Sequence, residues 1–192
     1  MADGGDQWVF GYGSLVWKVG FPFAESHPGF IDGWKRRFFQ SSPDHRGTED
    51  APGRVVTLLP TAYLDEAPDE DAAPSEEPTF GVVYRVRAED VKDVMAQLWH
   101  REKAGYTSAT VGVRCIDGVT REALVFTGTP DNEHFAGPAP YADMAAQIAR
   151  SVGPSGTNFE YLEQLALALR KHDVRDHHVE RLYKDVLALR AT

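Results

Sequence analysis

The stretch ATVGVRCIDGVTREALVFT, residues 109–127, carries the reading on which the fold class turns. Val111, Val113 and Cys115 alternate with small or polar residues, and Ala123 and Val125 do the same further on, so each half reads as a half-buried strand. Asp117-Gly118 stands between them and signals a tight hairpin rather than a helical crossover. Upstream, further strands are expected at 8–10, at 54–59 (RVVTLL), at 80–86 (FGVVYRV) and along a β-prone segment at 30–39, where Gly33 is expected to form a bulge. Helical spacing marks Val91, Val94, Met95 and Leu98, and then dominates downstream. It appears at Met144, Ala145, Ile148 and Val152, with Gly153 as the stop, and again through Leu162, Leu165 and Leu169 after Thr157 and Glu160 at capping-box spacing. A last helix is marked by Val179, Leu182, Tyr183, Val186 and Leu189. Strands first and helices last make an α+β chain rather than βαβ alternation.

The 192 residues, 42% of them hydrophobic, suffice for one ordinary core, so a single domain over 1–192 is expected. No apolar run approaches the roughly 18 residues that would span a bilayer, and the N-terminal MADGGDQW has no export-signal pattern. A lone cysteine, Cys115, rules out an internal disulfide and fits a reducing compartment. A cytoplasmic location with no membrane partner follows as the expectation, and nothing specifies an oligomeric state. The formal charge of −9 is concentrated: residues 65–77, DEAPDEDAAPSEE, hold seven acids and no base, leaving a nearly neutral remainder. That proline-containing stretch is expected to be a flexible solvated loop. Nucleic acid is not expected as a partner, because it calls for a basic face.

Two features suggest chemistry. In WVFGYGSLVWK, residues 8–18, a strand is broken by Gly-Tyr-Gly-Ser. Val16 occupies the third glycine position of a dinucleotide fingerprint, and Gly-Lys-Ser/Thr is absent, so neither nucleotide motif is met. Two readings stay open: a turn out of an edge strand, or a loop whose glycines permit positive φ and close approach, turning successive N–H groups toward an anion or a polarised carbonyl. The second feature is Glu102, one helical step beyond the stripe ending at Leu98, in REKAGY. It reads either as a frayed or salt-bridged helix end, or as a partly buried carboxylate whose pKa is raised toward the range of a general base. Cys115 reads as a strand thiol, and HDVRDHH as a solvated helix start without zinc-ligand spacing. Arg36, Arg37, Arg46 and Arg54 form a basic group that either pairs with the chain's acids or holds a substrate carboxylate.

The chain resembles the ChaC-type γ-glutamylcyclotransferases, a family that acts on glutathione. The resemblance rests on WVFGYGSLVWKVGFPF, RRFFQSSPDHRGTEDAPGRVVTLL, FGVVYRV, REKAGY, GPAP and GPSGTNFEYL, in that order over nearly the whole chain. The acidic segment between Leu59 and Phe80 is the main departure. The family likeness implies a small mixed β-barrel-like sheet flanked by helices, working without metal or organic cofactor. It implies that the α-amine of a γ-glutamyl group attacks its own γ-carbonyl, releasing 5-oxoproline and, from glutathione, cysteinylglycine. γ-Glutamyl amino acids or γ-glutamylamines are the alternative substrates, and a non-catalytic γ-glutamyl-binding module is the alternative role. By the same likeness Glu102 is the acid/base. Val9, Phe10, Gly11, Tyr12, Gly13, Ser14, Leu15 and Tyr161 bind the substrate, and Arg36 or Arg54 is a candidate for its glycyl carboxylate.

Overall fold

Five strands close into a barrel in the order β1-β5-β2-β6-β7: β1 (Gln7–Gly11), β2 (Glu25–Ile31), β5 (Thr79–Val86), β6 (Tyr106–Cys115) and β7 (Thr120–Gly128). The computed structural model describes residues 5–66, 77–101 and 106–191. Glu102, and the acidic stretch 65–77 apart from its ends, lie outside the described residues. Neighbouring strands run antiparallel except where β7 meets β1, a parallel contact at Val9 and Leu124. The sheet is therefore mixed, as the family likeness implied. Closure removes both sheet edges that an open sheet would expose. β5 is buried along nearly its whole length, because the barrel interior takes one face and other elements cover the opposite one. The 109–127 hairpin is present, with Gly118 at φ 85° in its turn.

The β-prone segment at 30–39 is not one strand. Gly33, at φ 76°, sits in a turn where β2 ends, and β3 (Trp34–Ser42) leaves the barrel to pair with β4 (Gly53–Pro60). The bulge expected at Gly33 occurs instead between Arg37 and Gln40, where the register shifts. Phe38 and Phe39 are both fully buried at consecutive positions there, since the ribbon is covered on both faces.

That ribbon packs between the barrel and the helices α3 (Tyr141–Arg150), α4 (Asn158–Lys171) and α5 (His177–Arg190). Helix α2 (Ala88–Arg101) lies on the barrel through Val94 and Leu98, and a short α1 (Thr61–Glu66) follows β4. None of the described helices is long and apolar enough to cross a membrane. Helix α3 buries Tyr141, Met144, Ala145 and Ile148 but stops at Arg150, earlier than its apolar spacing suggests. Val152-Gly153 (β8) pairs instead with Gly156-Thr157 (β9), leaving Val152 exposed. Thr157 caps α4, its hydroxyl accepting from Glu160 N at 3.1 Å. The start of α5 is only partly solvated, since His178 is buried, accepts at Nε2 from Phe38 N and pairs with the Tyr141 hydroxyl at 2.7 Å. Cys115 is a buried strand thiol bonded to the Val113 carbonyl.

Candidate active site

Strand β1 ends in the Gly-Tyr-Gly-Ser loop because the chain must fold back sharply there. A Cβ on Gly11 would collide with the side chain of Leu15, and one on Gly13 would stand 3.1 Å from both the Tyr161 hydroxyl and Val56 Cγ2. Close approach is thus what the glycines supply; neither adopts the positive φ expected from the sequence, and Gly13 lies at φ −109°. A single 3₁₀ turn, Ser14–Val16, follows, and its own bonds begin only where Val16 N donates to Gly13 O at 3.0 Å. The first N–H groups of such a turn are not used by the turn itself.

The loop is pinned from behind. Arg36 Nε donates to Tyr12 O at 2.8 Å, while its other nitrogens reach Phe80 O and the Asp176 carboxylate, the N-cap of α5. The Tyr12 hydroxyl donates to Phe126 O at 2.8 Å. The Tyr84 hydroxyl donates to Leu15 O at 2.6 Å, and burial pushes its pKa up to about 12, so it stays a donor at neutral pH.

In front of the loop lies a cavity of about 340 Å³. Phe10 to Leu15 form one side, Gln40 to Ser42 and Asp44 to Arg46 another, and Gly20, Val55, Val56, Leu98, Phe126, Ser155 and Tyr161 complete it, with Trp17 and Lys18 beside the loop. Tyr161 is buried, edge-on to Trp17, with the Arg46 guanidinium 5.7 Å from its ring centre. Arg46 is held by Thr157 O and by Glu160 at 3.1 Å, and His45 Nδ1 meets Ser155 Oγ at 3.1 Å.

Of the residues singled out in the sequence, Phe10, Gly11, Tyr12, Gly13, Ser14, Leu15 and Tyr161 line this cavity. Val9 does not; it is fully buried where the barrel closes. Arg36 and Arg54 do not line it either, so neither is placed to hold a carboxylate there. Arg36 is taken up by the loop and Asp176. Arg54 donates to Phe38 O, Gly137 O and Gln147, and burial lowers its pKa, with the Asp143 carboxylate opposing. Both are buried because a guanidinium can satisfy several carbonyls at once. Arg46 is the member of the basic group that reaches the cavity.

Residues 7–189 match the family model of the ChaC-like proteins. The chain belongs to the ChaC-like family. It is 42% identical to γ-glutamylcyclotransferase 2-3 of Arabidopsis thaliana, over 93% of this chain and 87% of that one. It is 36% identical to the glutathione-specific γ-glutamylcyclotransferase of Saccharomyces cerevisiae, over 93% and 95%. The crystal structure of a yeast γ-glutamylcyclotransferase specific to glutathione superposes with a TM-score of 0.88 at 34% identity, covering 96% of each chain. In this ChaC-like chain the cavity also includes Gln40, Trp17, Lys18, His45 and Ser155, which sequence reasoning passed over. For Gln40 a signal existed: a polar residue directly behind the apolar run Phe38-Phe39 on a strand that must be buried.

Proposed function

We propose that this ChaC-like protein is a cytoplasmic, glutathione-specific γ-glutamylcyclotransferase that converts glutathione to 5-oxoproline and cysteinylglycine, the whole chain acting as one catalytic unit. One observation carries the reading: a cavity large enough for a small peptide, walled on one side by the pinned Gly-Tyr-Gly-Ser loop, with Lys18 beside it, and rimmed on the other by Asp44, His45 and Arg46. The loop offers N–H donors for a γ-glutamyl group, and the Arg46 guanidinium on the rim suits the terminal carboxylate of a two-residue leaving portion.

The substrate is folded so that its α-amino nitrogen faces its own γ-carbonyl carbon, which makes ring closure intramolecular. Glu102 takes a proton from the α-ammonium group and frees the lone pair. The new C–N bond forms, and the oxygen, now negative, is held by N–H donors of the loop. Collapse breaks the old C–N bond as Glu102 gives its proton to the departing cysteinyl nitrogen. The carboxylate so freed takes the second proton of the ring nitrogen, leaving a neutral lactam N–H, and returns to its starting state by losing that proton to the departing amine or to water. Tyr161, packed on Gly13 and under Arg46, closes the cavity between loop and rim.

The replacement Glu102→Gln tests this assignment, since the amide keeps the shape but cannot accept the proton. A kcat loss at the upper end of the roughly 10²–10⁴-fold range of general acid–base groups is expected, with glutathione affinity by calorimetry changing far less. A folded variant that keeps more than about a tenth of the wild-type kcat would remove Glu102 from the mechanism.

A further inference from the structure

Gln40 follows the bulge in β3, is 1% exposed and lines the cavity. Neither its Nε2 nor its Oε1 has a hydrogen-bond partner among the described residues. Buried side-chain amides are rarely left this way, because desolvation is not repaid. Its backbone is fixed on both sides, against Val55 in β4 and by a bridge to Phe135. The nearest polar groups are engaged with one another: Thr57 Oγ1 donates to Gly128 O at 2.9 Å and accepts from Gly128 N, and the Thr127 hydroxyl donates to Leu58 O. A Cβ on Gly128 would strike Gln40 Oε1, and Gly128 pairs in register with Tyr106, where the described chain resumes after Glu102 to Gly105. The side chain thus carries an uncharged donor and acceptor side by side, on a residue that shares the cavity lining with Phe10, Val56 and Phe126.

Glutathione itself fits such an edge poorly. Its α-ammonium and carboxylates are charged, and its amides are trans, so the carbonyl and N–H of one amide point in opposite directions. Ring closure changes that. As the α-amine bonds to the γ-carbon, the nitrogen that keeps a hydrogen and the oxygen gaining charge come to lie on the same side of the new C–N bond. A five-membered lactam must hold them there. This edge, one N–H beside one oxygen, is the complement of a primary amide.

We propose that Gln40 pairs with the forming lactam edge, Nε2 donating to the developing oxyanion and Oε1 accepting the N–H of the attacking nitrogen. This assignment rests on the cyclotransferase reading above. It makes Gln40 complementary to the transition state and to 5-oxoproline rather than to glutathione.

The test compares wild type with Gln40→Leu, similar in size and apolar, and with Gln40→Glu, which keeps the shape but loses the donor. Both variants are expected to lower kcat for glutathione at least about 100-fold, the lower end of the range for an oxyanion donor, with KM within about twofold. Gln40→Leu should melt at or above the wild-type temperature, because an unpartnered amide is removed. Calorimetric affinity for 5-oxoproline should fall about tenfold or more in the same variant, while proline, which lacks the lactam oxygen, should bind wild type and variant equally weakly. A kcat within about twofold of wild type, a loss that only tracks a lowered melting temperature, or unchanged 5-oxoproline affinity overturns the assignment. If Gln40→Leu does not fold, Gln40→Glu decides by the same kcat and affinity criteria. A wild-type protein that releases no 5-oxoproline from glutathione overturns the cyclotransferase reading itself, and this assignment with it.

Discussion

The two walls of the cavity are built in opposite ways. The Gly-Tyr-Gly-Ser wall is backbone, fixed from inside the protein by Arg36, Tyr84 and the Tyr12 hydroxyl, each bonded to a carbonyl or accepting main chain. The opposite rim is made of side chains, with Asp44 and His45 exposed and Arg46, mostly buried, held by Thr157 O and Glu160. A wall of buried backbone fixes geometry, which ring closure demands to within a fraction of an ångström. A rim of side chains holds a carboxylate less rigidly than backbone does, and salt screens its exposed members. The first wall suits the part of a substrate that reacts, and the second suits the part that leaves.

Two substitutions test that contrast, the larger on the backbone wall. Arg36→Met should leave the buried side of Asp176 without its cation and remove the donor to Tyr12 O, costing about 3 kcal/mol or more in denaturant unfolding, with activity lost alongside. A loss below about 1 kcal/mol would show that the loop does not depend on this anchor. On the rim, Arg46→Ala should change stability and kcat little but raise KM for glutathione about 10-fold, the size of one charge-assisted hydrogen bond. An unchanged KM would take the leaving-group carboxylate away from Arg46.

The same contrast explains what could be read in the sequence. The hairpin at Asp117-Gly118, the cap at Thr157 and the apolar stripes of α3, α4 and α5 are local, set by residues within a turn or two of one another. Closure of the barrel was not local, because Val9 must find Leu124 across the length of most of the chain. Nor was the departure of β3 from the barrel, since 30–39 is β-prone throughout and only the turn at Gly33 divides it. The loop and Tyr161 were legible through their motifs. The arginines were not, because Arg36, Arg46 and Arg54 carry the same side chain and only the tertiary fold decides which is buried against carbonyls. Gln40 left a trace in the sequence, a polar residue directly behind Phe38-Phe39, but its want of partners can be counted only in the fold.

The central claim is that this ChaC-like chain cyclises the γ-glutamyl group of glutathione and chooses that substrate by its leaving portion. The most direct measurement is the rate of 5-oxoproline release from glutathione beside that from γ-glutamylalanine, with cysteinylglycine quantified in the first reaction. The account predicts one cysteinylglycine per 5-oxoproline and a kcat/KM for glutathione at least about tenfold higher, the equivalent of one good polar contact to the glycyl end. Comparable kcat/KM values would contradict glutathione specificity, and the absence of 5-oxoproline from both would contradict the cyclotransferase chemistry.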